Sequence, residues 1–149
     1  MLDYFKQLFA FDNWATTRSL TLLRGYPNQK ALTALSHLLL AQKIWLLRLN
    51  DQDSSSIPTY EDQSLESCTT MAKEIHKGYV EFLNSIQESD LDRLITYKNT
   101  KGVGFQTSIR DILMHVAFHS VYHRGQVASF VRIDNGEPLN TDYITFTRL

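Results

Sequence analysis

Ile112-Leu-Met-His-Val-Ala-Phe-His-Ser-Val-Tyr-His-Arg-Gly-Gln-Val-Ala128 is the stretch on which the reading of this chain turns. Through it and its flanks, Ile109, Ile112, Val116, Val127 and Phe130 recur at a helical period that turns one face towards a core. His119 and His123 fall on that same face, because four residues advance an α-helix by about 400° and leave the two side chains roughly 40° apart. Two imidazoles buried side by side without partners are costly. A divalent metal is the simplest partner that satisfies both.

Working outward, three more helical patterns appear. One runs from about Asp3, read as its N-cap, to about Arg24, where Gly25-Tyr26-Pro27 stops it. Its stripe, Phe5, Leu8, Phe9, Asp12, Ala15, Thr16, Ser19, Leu22 and Leu23, is apolar at both ends and polar in the middle. A second, from about Asn28 to Asn50, is apolar nearly all round, from Leu32 and Leu35 to Ile44, Trp45 and Leu49. Such a helix is central to a core or shared with another subunit, and in so small a chain the expectation is a homodimer through this helix. A polar connector, residues 51–63, leads to a third helix, about Ser64 to Gln87, with a stripe of Met71, Ile75, Tyr79, Phe82, Leu83 and Ile86.

Between the third and fourth helices, Leu94-Ile-Thr-Tyr97 and Val103-Gly-Phe105 flank a glycine-containing turn and read as a short hairpin. An isolated hairpin is marginal in water, so this one must lie against the helices. The fourth helix opens at Ser108-Ile-Arg-Asp111, resembling a capping box with Asp in place of Glu, and stops near Asn135-Gly136. Tyr143, Ile144 and Phe146 give the tail enough apolar surface to dock back. The expected architecture is one all-α domain over residues 1–149, a four-helix bundle with a short β excursion.

Composition bounds the function classes. At 149 residues the chain is long enough for a domain burying about two-thirds of its unfolded surface. A hydrophobic share of 43% with 21% charged residues suits a globular protein rather than a disordered one. A formal net charge of −1 gives no electrostatic reason to expect nucleic acid, whose phosphates need a clustered cationic surface. The greasiest stretch, Leu35 to Leu49, is broken by His37, Gln42, Lys43 and Arg48 and is too short to span a bilayer. One cysteine, Cys68, excludes an intramolecular disulfide. The N-terminus does not read as a signal peptide, so a cytoplasmic location is expected.

Cys68 alone rules out a cysteine-rich zinc site, so the ligands must be sought among the histidines. His76 is flanked by Lys73, Glu74 and Lys77 and reads as a surface residue. His37 is a polar residue on an apolar stripe, with Leu40, Ala41 and Ile44 at its i+3, i+4 and i+7 positions. His115, His119 and His123 share one helix, but positions i, i+4 and i+8 span about 12 Å of axis and cannot all reach one ion. Two neighbours can, and a further ligand must come from another helix. Spacing alone leaves His115 with His119 and His119 with His123 equally open.

The segment His115-Val-Ala-Phe-His-Ser-Val-Tyr-His-Arg-Gly-Gln-Val127 resembles the signature of the DinB-like superfamily, which includes YfiT-like metal-dependent proteins. The likeness extends to Phe11-Asp-Asn-Trp-Ala15 and to Asn135-Gly-Glu-Pro138. It implies a four-helix bundle, typically dimeric, that holds a divalent ion through three histidines. Carried across, the helix-two ligand matches His37, and the paired ligands match His119 and His123 ahead of Arg124-Gly125-Gln126. His115 and Asp12 then become candidates for orienting a ligand or carrying a proton beside the site.

Relatives of this kind include thiol transferases, isomerases and proposed hydrolases. The resemblance therefore implies a metal-dependent enzyme that activates a low-molecular-weight thiol or water for a small-molecule substrate. Zinc or nickel is the expected ion. The alternative is a non-catalytic, stress-related metal-binding protein. No glutamate lies beside the pair as in HExxH enzymes, which tilts the expectation towards thiol chemistry.

Overall fold

The computed structural model describes residues 1–149. Asn28 opens the helix that organises the rest: its side chain accepts from the Ala31 amide and satisfies one of the free donors of the first turn. That helix, α2 (Gln29–Leu49), follows α1 (Leu2–Gly25). Ser64 caps α3 (Leu65–Ser85) in the same way, and Ser108 caps α4 (Ile109–Ile133). A short 3-10 helix (Glu88–Asp92) and the strands β1 (Leu94–Lys98) and β2 (Gly104–Ser108) lie between α3 and α4. A single turn of helix, α5 (Tyr143–Phe146), ends the chain.

The first helix starts two residues earlier than its sequence suggests, with Met1 rather than Asp3 at the N-cap position. Asp3 lies within its first turn rather than capping it. The amides there are met from a distance instead: Glu88 accepts from the Leu2 N–H at 2.8 Å and pairs with the N-terminal ammonium at 3.0 Å.

The four long helices bury a common core. From α2 come Leu35, Leu38, Leu39, Leu40 and Leu49; from α3, Met71, Ile75, Tyr79, Phe82 and Leu83; from α4, Ile109, Ile112, Leu113, Val116, Val127 and Val131. Within the chain α2 packs on α3, α4 and β1 and buries Leu35, Leu38, Leu39, Leu40, Ile44 and Leu49, while Leu32, Trp45, Leu46 and Leu47 stay half-buried. Cys68 is free and wholly buried, with its sulfur 3.5 Å from the Ser36 hydroxyl.

The hairpin is antiparallel, with Ile95 opposite Thr107 and Tyr97 opposite Phe105. Ile95 enters the core, and Tyr97 meets Trp45 of α2 edge-on at 5.0 Å between ring centres. This docking supplies the cover that two strands alone lack. The tail docks as well: Phe11 meets Tyr143 at 5.1 Å and Phe146 at 5.7 Å. At the end of α4, Asn135 takes the left-handed conformation (φ 62°). Gly136 serves a different need, since a Cβ there would stand 2.6 Å from Val131 Cγ1 and 2.9 Å from the Tyr26 ring. No helix is long and apolar enough to cross a membrane.

Candidate metal centre

α2 and α4 pack against each other along their length, and their facing sides bring His37, His119 and His123 together. One nitrogen from each ring lies within 4.8 Å of the others, and no carboxylate or thiolate joins the group. Ring centres are 4.3 Å apart for His119 and His123, 4.5 Å for His37 and His123, and 5.3 Å for His37 and His119.

Hydrogen bonds fix which nitrogens face inward. His37 Nδ1 is 2.7 Å from the Thr59 carbonyl, which can only accept, so Nδ1 carries the proton and Nε2 presents its lone pair. His123 Nδ1 donates to Gln126 Oε1 at 2.7 Å, with the same consequence. Its Nε2 stands 3.1 Å from His119 Nε2. At that separation one proton or one cation must lie between the two nitrogens, because two bare lone pairs repel.

The donor set fits a divalent ion. Two imidazoles bound tetrahedrally at about 2.0–2.1 Å place their nitrogens roughly 3.3 Å apart, close to what is seen. Anchoring the far ring nitrogen on a carbonyl or amide oxygen is the usual support for such ligands. Electrostatics agree: burial, then the neighbouring His123, His115 and His37, hold His119 down at about 4. Burial also lowers His123, against an opposing contribution from the Gln126 hydrogen bond. Both rings are therefore neutral near pH 7, the form that ligates metal.

His37 is clamped from outside as well. The Tyr60 ring lies parallel to its imidazole, 4.0 Å away and tilted by 4°. A groove of about 330 Å³ opens beside it, lined by Lys30, Thr33, Ala34, Tyr60, Gln126 and Phe130, with His37 and His123 at its inner end. A larger cleft, about 650 Å³, lies elsewhere, between residues 51–57 and the hairpin tip, and touches none of the three histidines.

The other two residues singled out from sequence stand apart from this cluster. His115 is exposed and packs on Trp45 at 5.3 Å, with its ring centre 5.4 Å from that of His119. Partial burial lowers its pKa. Asp12 is buried and bonds no imidazole: it pairs with Arg124 and accepts from Gln42 Nε2 at 2.6 Å. Gln42 Nε2 also donates to the Ser120 hydroxyl at 2.8 Å, and the Gln42 carbonyl accepts from Tyr79 at 2.9 Å. This network joins all four long helices beneath the histidines. His76 takes no part in the cluster.

The DinB family profile matches residues 14–149. The chain belongs to the DinB family. Protein DinB of Bacillus subtilis (strain 168) is 24% identical over 164 residues, covering 96% of this chain and 93% of the relative. Within this DinB chain, the matched region contains all three clustered histidines and Arg124, while Asp12 falls just ahead of it.

Thr59, Tyr60, Gln42 and Ser120 escaped the reading of the sequence. Thr59 acts through its carbonyl, which every residue type possesses, so nothing in its identity marks it. Tyr60 had one available signal: it is the sole aromatic in the connector, residues 51–63. Gln42 was visible as a polar break in an apolar helix, but its partners lie 30 and 78 residues away.

Proposed function

We propose that this DinB-family protein is a small cytoplasmic metalloenzyme. It holds a divalent ion, zinc or nickel, through His37, His119 and His123, and activates a low-molecular-weight thiol or a water towards a small-molecule substrate. One observation carries the reading: three inward-facing histidine nitrogens form a cluster that no fourth protein ligand completes. Structural zinc sites are closed by four protein ligands, whereas catalytic ones keep a position for water or substrate. An ion held in this way lowers the proton affinity of a water or thiol that reaches it, giving hydroxide or thiolate near neutral pH.

The chain's own groups divide the remaining work. Thr59 and Gln126 hold two of the imidazoles in the ligating tautomer. Tyr60 shields one face of His37, and the groove gives a small molecule access to the same end of the site. The nearest buried carboxylate, Asp12, is committed to Arg124 and Gln42 and is not free to take a proton from water. This favours a thiol, whose ordinary pKa of about 8.5 needs far less lowering than that of water.

The alternative, a non-catalytic ion that ties helices together, has one observation in its favour: the ligands come from both α2 and α4. Metal analysis separates the outcomes. Elemental analysis of the purified wild type should find near-stoichiometric zinc or nickel, and His119→Ala should lose it. No metal in either protein, even after reconstitution, refutes the reading. With metal established, thermal melting with and without chelator decides the role: a modest loss of stability fits a catalytic ion, and collapse of the fold fits a structural one.

A further inference from the structure

The groove of about 330 Å³ beside the histidine cluster is built from two rows of side chains. On α2, Lys30, Ala34 and His37 stand at i, i+4 and i+7; on α4, His123, Gln126 and Phe130 stand at i, i+3 and i+7. The two helices run in opposite directions, since the Asn28 side chain at the start of α2 donates to the Phe130 carbonyl near the end of α4 at 3.4 Å. Both rows therefore lead away from the histidines for two turns and end together, about 10 Å along the axes, at Lys30 and Phe130. Tyr60, 72% exposed and stacked on His37, stands at the inner end as a third wall.

Apart from the imidazoles, Lys30 is the one titratable cation of this lining, and no carboxylate belongs to it. Lys30 forms no ion pair within the chain. Asp62 accepts from the Thr33 hydroxyl at 2.7 Å but is not among the residues that line the groove. A lysine in the first turn also has the wrong sign for its helix. The N-terminal end of α2 is the positive end of the macrodipole, and no acidic residue stands in its first turn. Two positive contributions thus meet at the far end of the groove, with no negative one in its walls.

We infer that the groove binds an organic acid with an apolar body. Its acidic group pairs with Lys30, its body lies between Tyr60 and Phe130, and its other end reaches the histidines. The inference rests on the metal-site reading above and names the class of small molecule brought to that site: an acid whose reacting atom lies about 10 Å from its charge. Apolar walls with one placed polar group at an end are the usual make-up of a small-molecule site, the polar group fixing orientation. The larger cleft at the hairpin tip lacks this polarity of sign, because Arg48 and Lys98 share its walls with Asp51 and Asp53.

Isothermal titration of the metal-free protein with 4-phenylbutyrate and with its uncharged amide, 4-phenylbutyramide, tests this. The acid should bind about fivefold or more tightly than the amide at low ionic strength. Lys30→Met should erase that preference and leave amide binding unchanged, and Lys30→Glu should transfer it to 4-phenylbutylamine. Phe130→Ala should weaken acid and amide alike, with circular dichroism checking that each variant is folded. On binding, the probe's ring should shift the imidazole proton resonances of His37 and His123. Cobalt uptake, followed by its absorbance, reports on the metal site separately. A protein that takes up cobalt but does not distinguish acid from amide overturns this inference and leaves the metal reading standing. So does a preference that survives Lys30→Met, a bound acid that leaves both imidazoles unshifted, or no binding of the acid up to about 10 mM. Acid binding that depends on Lys30 in a protein that takes up no cobalt overturns the metal reading instead.

Discussion

Asp12→Ala removes the acidic partner of a guanidinium that is almost wholly buried: the Arg124 side chain is 3% exposed and that of Asp12 is 12%. Arg124 Nη2 has no hydrogen-bond partner in the native fold, and Nη1 is shared between Asp12 and the Thr16 hydroxyl at 3.3 Å. Once Asp12 is gone, the cation keeps only Thr16 and the face of Phe11, 5.4 Å from its central carbon. Removing one member of a buried pair costs about 3–5 kcal/mol, because the other charge stays desolvated and uncompensated. Against a typical total of about 5–15 kcal/mol, that is a large share of the stability. In a chain of this size it corresponds to a fall in Tm of roughly 10 °C.

Urea denaturation of the metal-free protein measures the cost, read from the midpoint at constant slope. Replacing both charges, Asp12→Leu with Arg124→Met, should return stability to within about 1 kcal/mol of wild type, since neither ion is then buried. The cycle of single and double variants isolates the coupling between the two side chains. Asp12→Ala costing under about 1 kcal/mol would refute the reasoning, as would a double variant no more stable than the sum of the singles.

Two further outcomes follow from the histidine cluster. Gln126→Ala removes the acceptor that orients His123; metal affinity should fall about 10–100-fold in competition with a chromophoric chelator, with the metal-free fold little changed. Unchanged affinity would mean that Gln126 does not set the tautomer. The second outcome concerns pH. His119 is held at about 4 in the fold against 6.5 in a free chain, so between those values the unfolded state binds a proton that the native state does not. Its contribution is therefore fully present above about pH 6.5 and is lost as pH falls towards 4. Urea midpoints of the metal-free protein should drop more steeply across that window in wild type than in His119→Gln, and parallel curves would disprove the assignment.

Much of this was legible because the determinants are local. Asn28, Ser64 and Ser108 cap their helices through their own side chains, so the starts of α2, α3 and α4 can be read directly. The start of α1 cannot, because its amides are answered by Glu88, 86 residues away. His37 stood out as a polar residue on an apolar stripe, but the choice between its two candidate partner pairs was beyond spacing. It depends on the rotation of α4, which carries His115 towards Trp45 and leaves His119 and His123 facing His37.

The rotation of α4 also explains why a buried ion pair lies beneath the histidines. His119 is followed by Ser120 and His123 by Arg124, so the helix carries two four-residue ladders one step out of phase. One ladder presents imidazoles; the other anchors to Gln42 on α2 and Asp12 on α1. Gln42 lies little more than one turn beyond His37, so the same bonds hold the helix of the third imidazole. A metal site needs its ligands within about 10–20° of the productive geometry, and a 20° turn of a helix moves a side-chain tip by roughly 2 Å. Apolar packing tolerates such a slip, because greasy contacts are not directional. Directional polar contacts resist it, so the network under the cluster supplies the angular precision that the hydrophobic core cannot.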